Sequence, residues 1–102
     1  MRLAYNSSVE QQYIFTAKVQ LFPQDNGWHY VAVPSHISHP LRIFADRGLI
    51  AVHATVGDYT WNTSLLPKGD GSHFVALSAK MRNKEGIRLE DSVTMKFVLR
   101  ER

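Results

Sequence analysis

The residues of this 102-residue chain best suited to chemistry are its five histidines, at positions 29, 36, 39, 53 and 73. Imidazole is both a base near neutral pH and a common metal ligand. His36 and His39 are spaced to share one side of a helical turn. A zinc site, however, needs a third and a fourth ligand, and Pro40 disfavours helix at His39. His29 and His73 read as polar-side contacts of strands rather than as ligands. Ser64, Asp70 and His73 include the residue types of a hydrolytic triad, but nothing sets Ser64 on a strained turn or supplies an oxyanion hole. LPKGDGSH, residues 66–73, has the glycines of a phosphate cradle. A working cradle feeds a helix N-terminus, whereas this one feeds a strand and lacks the GxxxxGK spacing. A hairpin connection with Gly69 and Gly71 at positive φ accounts for it. For calcium, Asp70 alone supplies a carboxylate where several oxygen donors are needed. With no cysteine in the chain, disulfides and thiol chemistry are excluded. The expectation is a protein that is not an enzyme, with no catalytic residue, no metal and no cofactor.

Two groups of residues point instead to binding. Tyr59, Trp61, Asn62 and Ser64, with the following loop and His73, set an amphipathic tryptophan among polar groups that suit a small ligand or a partner protein. Trp61 has a competing role as filler of a barrel interior. Lys80, Arg82, Lys84 and Arg88 form a basic turn suited to phosphates. From Lys80 onward seven basic residues face four acidic ones, so the formal net charge of +3 arises entirely in the last quarter of the chain. Nucleic acid is therefore the alternative partner. Against it, the corresponding stretch of the first half carries only Arg42 and Arg47, and a DNA reader of this kind needs two symmetric copies.

The elements that must carry these residues are strands. Apolar and polar residues alternate in YIFTAKVQL (13–21) and SVTMKFVLR (92–100), the mark of half-buried strands. WHYVAV (28–33), LIAVHATV (49–56), YTWNTSL (59–65) and HFVALSA (73–79) are rich in β-branched and aromatic residues and bounded by turn formers. Gly57 suits a tight hairpin turn; residues 1 to about 10 read as a frayed start. HYVAVPS at 29–35 returns as HFVALSA at 73–79, an offset of 44. Carried onward, that offset sets Leu49, Ala51, His53 and Thr55 on Val93, Met95, Phe97 and Leu99 as inward positions. His29 and His73 are then equivalent, near one another or at opposite ends. The expected fold is all-β with one or two short helical turns: a closed, six-stranded split β-barrel with a pseudo-twofold internal repeat, residues 29–55 and 73–99. It makes one domain over residues 1–102, with an ordered core about 13–100. Two half-units that cannot bury their own apolar faces do so against each other, and closure removes exposed edges.

KMRNKEGIRLED, residues 80–91 with Ala79 before it, leads from a strand through a basic turn and Gly86-Ile87 to a final strand. This order resembles half of an AbrB or MazE type swapped-hairpin DNA-binding barrel. Ser78 stands where that family has proline, a place Pro34 keeps in the first half, and Glu90-Asp91 replaces its glycine-aspartate pair. A longer pattern runs from Phe15 to Leu99: Phe15 and Ala17, Trp28 and Pro34, Gly57, Thr63-Ser64-Leu65, Pro67 with Gly69 and Gly71, then Lys80-Met81-Arg82. It resembles a bacterial and archaeal family, domain of unknown function nineteen-oh-five. That resemblance implies a split β-barrel folded within one chain and no known activity.

At 44% hydrophobic and 21% charged residues the chain has an ordinary globular composition. No apolar run approaches a membrane span, and the N-terminal residues lack the apolar stretch of a signal peptide. A cytoplasmic, non-membrane protein, monomeric or weakly dimeric, is expected.

Overall fold

Alternation along residues 13–21 produces an extended segment in two pieces. In the computed structural model, which describes residues 11–24 and 27–101, β1 spans Tyr13–Lys18 and β2 spans Gln20–Leu21. Between them Val19 leaves the ladder. Its N–H donates to the Asp91 carbonyl at 2.8 Å, and its carbonyl accepts the Glu90 N–H at 2.9 Å. Among the described residues there are therefore seven strands, not six. The predicted frayed start lies outside the described residues.

The chain continues through β3 (His29–Val33), α1 (Ser35–Leu41), a 3-10 turn (Arg42–Phe44), β4 (Ile50–Val56), β5 (Tyr59–Pro67), β6 (His73–Ala76), α2 (Ala79–Glu85) and β7 (Ser92–Leu99). The strands form one antiparallel sheet in the order β1-β7-β4-β5-β6-β3-β2. Its two ends, β1 and β2, are neighbours in the chain on either side of Val19, so the sheet curls until it nearly closes into a barrel. The all-β expectation holds, with two short helices.

Period-two burial fills the interior. Phe15, Val31, Val75, Leu65, Met95 and Phe97 are buried, and each helix adds one large apolar side chain, Leu41 from α1 and Met81 from α2. The two similar stretches lie side by side: Val31 stands opposite Val75 in the β3–β6 ladder. The helices begin at Ser35 and Ala79, also 44 residues apart. Beyond them the inward positions expected from that offset are wrong for β4. Ile50, Val52, Ala54 and Val56 belong to the core cluster, while His53 is exposed and Ala51, though buried, lies outside that cluster. Counted from the end of each helix, the first inward residue comes one position sooner in the second half, Val93 after Glu85 against Ile50 after Leu41, so these four correspond to Val93, Met95, Phe97 and Leu99 at a spacing of 43. Because side chains alternate sides, a slip of one residue exchanges the faces of a whole strand.

Turn chemistry follows the sequence at Gly57, where φ of 60° opens the two-residue link between Val56 and Tyr59. It departs from it at Pro40, which lies inside α1 rather than ending it. In so short a helix the missing N–H removes a single bond near the C-terminus, and the chain tightens at once into the 3-10 turn. Glu90 takes the left-handed region at φ 75°, a conformation costing a non-glycine residue about 1–2 kcal/mol. Glu90→Gly is expected to raise the unfolding free energy by about 0.5–1 kcal/mol, measured as a higher urea midpoint at unchanged slope. A lower midpoint would show that the Glu90 side chain contributes more than its backbone strain costs.

Both helices have seven residues, and among the described residues none is long and apolar enough to cross a membrane.

Candidate ligand cleft

β5 pairs with β4 along its length, from Tyr59 opposite Val56 to Leu65 opposite Ile50. With β6 it pairs only at Leu66–Phe74 and Pro67–His73. The first half of β5 therefore peels away from β6, where the chain turns into α2. The start of that helix is set by Ser78, in extended backbone at φ −70° and ψ 159°, whose Oγ accepts the Met81 N–H at 3.1 Å, an N-cap that satisfies one free donor of the first turn. Its end is set by Gly86 in the left-handed region at φ 66°.

The gap left between β5 and the β6–α2 corner is a cleft of about 420 Å³, within the size range of small-ligand sites. Trp61 and Thr63 form one wall, Leu77, Ser78 and Arg82 the other, and Trp28 with His29 the rim. Trp28 is 55% exposed and tilts against Phe74 with ring centroids 6.3 Å apart. Arg82 is half-buried, and its Nε donates to the Leu77 carbonyl at 3.2 Å, which holds the guanidinium at the corner. Burial, and then the Arg82 charge, hold the His29 imidazole below its ordinary pKa. Among the described residues no carboxylate lines the cleft.

The predicted binding residues divide over the barrel. Trp61 lines the cleft, and Tyr59 packs edge-on against it with centroids 5.6 Å apart. Both also pack against the core, so the indole serves as wall and filler at once. Asn62 and Ser64 alternate to the opposite face of β5; Asn62 is exposed, with its Oδ1 hydrogen-bonded to His53 Nδ1. His73 is not at the cleft. It stands opposite Val33 at the far end of the β3–β6 ladder from His29, 5% exposed, with Nδ1 unpartnered.

The basic turn also divides. Lys80 and Lys84, one helical turn apart on α2, are both exposed, whereas Arg82 turns to the cleft. Arg88 lies beyond the helix, exposed, and its backbone N–H donates to the Asp91 carboxylate at 2.8 Å. Elsewhere, the 66–73 stretch is a hairpin connection, with Gly69 at φ 93° and Gly71 at φ 92°. The Asp70 carboxylate accepts the Ser72 N–H and hydroxyl, bonds that lower its pKa. His39 Nε2 is held by an Arg42 guanidinium at 2.9 Å. Among the described residues no three His, Asp or Glu side chains are grouped to hold a metal.

Trp28, His29, Thr63 and Ser78 were absent from the residues expected to bind. The usable signal was tryptophan itself: the chain has two, and both line one cleft.

A nearly closed antiparallel barrel with a side cleft, its strands interrupted twice by a short helix, is the class this geometry defines. Within it, the chain belongs to the family described as Domain of unknown function (DUF1905), whose model matches residues 15–97. A comparison with curated proteins finds no match.

Proposed function

We propose that this protein is a non-catalytic module that binds a small molecule in the cleft between β5 and α2. The observation that carries the reading is the convergence of both tryptophans, the His29 imidazole and the Arg82 guanidinium on one cavity of about 420 Å³. Large amphipathic rings give contact area at low entropic cost, and a few polar groups set orientation. Ser78 spends its hydroxyl capping α2, and no hydrogen bond joins it to His29 among the described residues. The cleft thus offers recognition rather than a nucleophile activated by a base.

On this reading the similarity of the two halves is a duplication whose two ends have diverged. At the α2 end, His29 and Arg82 border an open cleft. The residues 44 positions away, His73 and Ser38, are buried.

The test uses the two indole N–H signals of the 15N-labelled protein. A fragment library is expected to yield ligands that shift both signals together, and Trp61→Ala to weaken those ligands at least tenfold. A broad library that moves neither signal overturns the proposal. The alternative, an AbrB-like nucleic-acid face, draws on the exposed Lys80, Lys84 and Arg88. Salt-sensitive binding of double-stranded DNA that disappears in Lys80→Ala/Lys84→Ala, with no fragment at the indoles, is the outcome that would favour it.

A further inference from the structure

We propose that the cleft selects a planar aromatic anion, its ring against the indoles of Trp28 and Trp61 and its carboxylate or phosphate on the Arg82 guanidinium. This rests on the cleft being a ligand site and adds which ligands it takes.

Three features of the same cavity combine. Its apolar lining carries two flat indoles on separate segments, Trp28 just before β3 and Trp61 on β5, beside the smaller aliphatic surface of Ala76, Leu77 and Ala79. The indoles favour a stacked or edge-packed ring as their partner. Among the described residues its one charged lining residue is Arg82. Nε is engaged by the Leu77 carbonyl, which fixes the plane of the group. Its terminal nitrogens have no carboxylate partner among the described residues. A half-buried guanidinium without a counter-ion is matched best by a two-oxygen anion, which it grips through parallel N–H bonds. Finally, burial and the Arg82 charge hold the His29 imidazole below its ordinary pKa, and among the described residues no carboxylate lines the cleft to oppose an anion. A cavity of about 420 Å³ has room for one or two fused rings with their acidic group.

The oxygens of a carboxylate and of a phosphate monoester meet Arg82 alike, so the probes separate the two. The full-length 15N-labelled chain is titrated with 1-naphthoate, 1-naphthyl phosphate, neutral 1-naphthamide and inorganic phosphate, following the indole N–H signals of Trp28 and Trp61. At least one naphthyl anion is expected to shift both signals and bind tenfold or more tightly than the amide, and the tighter of the two names the acid. Arg82→Gln should lower that anion to the affinity of the amide, while Arg82→Lys, which keeps charge without the fork, retains part of the difference. The comparison of anion with amide on the unaltered protein needs no variant, so a folding defect in Arg82→Gln leaves it decisive. Equal binding of amide and anion, with both indoles shifting, overturns the anion selection and leaves the cleft as a ligand site. Inorganic phosphate binding as tightly as the naphthyl anions overturns the role of the ring. If no naphthyl compound moves the indoles, the proposal fails, and the fragment library decides separately whether the cleft binds anything.

Discussion

Replacing Phe97 with alanine is expected to lower the unfolding free energy by about 3–5 kcal/mol, the range for emptying a buried aromatic site. Phe97 is 1% exposed on β7, the strand next to the junction where the sheet curls towards closure. Its ring stacks on Tyr13 at 5.0 Å between centroids and meets Phe15 edge-on at 6.4 Å, so it bonds β7 to β1 through three aromatic rings. On the other side it stands opposite Ala54 of β4, whose single methyl group cannot move in to fill the space. A barrel wall held by hydrogen bonds on both edges collapses poorly around a hole. For a domain whose whole stability is about 5–15 kcal/mol, the variant loses a large fraction of it. Urea unfolding should show a much lower midpoint at unchanged slope, and Phe97→Leu, which keeps most of the volume, should cost under about 1.5 kcal/mol. A midpoint within error of the parent for Phe97→Ala would mean that the three-ring contact does not hold β1 to β7.

Phe97 also shows how far the sequence could be read. Its place on the inward face of a terminal strand follows from alternation alone, since Val93, Met95 and Phe97 are buried and Ser92, Thr94 and Lys96 exposed. The turn at Gly57 and the loop at Gly69 and Gly71 are equally legible, because positive φ is a local demand that glycine meets locally. What alternation cannot reveal is a change of register between two elements. The one-residue difference between the approaches to the first inward residues of β4 and β7 arises in loops, where no periodicity marks it, and it reversed the expected face of His53. The break at Val19 is hidden for a different reason. Val19 keeps the inward parity of its strand and is fully buried; only its hydrogen-bond partners, in the 90–91 turn, are remote in sequence.

The cleft was legible in part. Trp61 and Arg82 were each singled out, but for different roles, because nothing in their spacing says that β5 parts from β6 where α2 begins. That separation is a property of three elements together. Within α2 the basic residues look like one patch in the sequence, yet residues two apart on a helix face opposite sides. Hence Arg82 leaves Lys80 and Lys84 and joins the tryptophans.

At the other end of the β3–β6 ladder His73 gives the second large effect: stability should fall as the solution is acidified through the histidine range. Its side chain is 5% exposed, and Nδ1 has no partner. Burial, and then the charge of Arg42, lower its pKa, because an imidazolium there would lose its water shell beside a cation. The unfolded chain keeps an imidazole of ordinary pKa near 6.5. Above that value both states are neutral and the full stability is present. Below it the unfolded state takes up a proton that the folded state refuses, so the unfolding free energy drops with a limiting slope of about 1.4 kcal/mol per pH unit until the folded pKa is reached. His29, lowered by burial and by Arg82, adds a drop of the same sign from its more open position. Urea midpoints between pH 7.5 and 5.5 should therefore decline in the parent and decline clearly less in His73→Phe, which keeps a ring of similar size without a titrating nitrogen. The two proteins should differ least at the alkaline end, where His73 is uncharged in both states and only its unpartnered Nδ1 separates it from phenylalanine. Parallel pH profiles would remove His73 as the source and leave the sensitivity to His29 at the cleft.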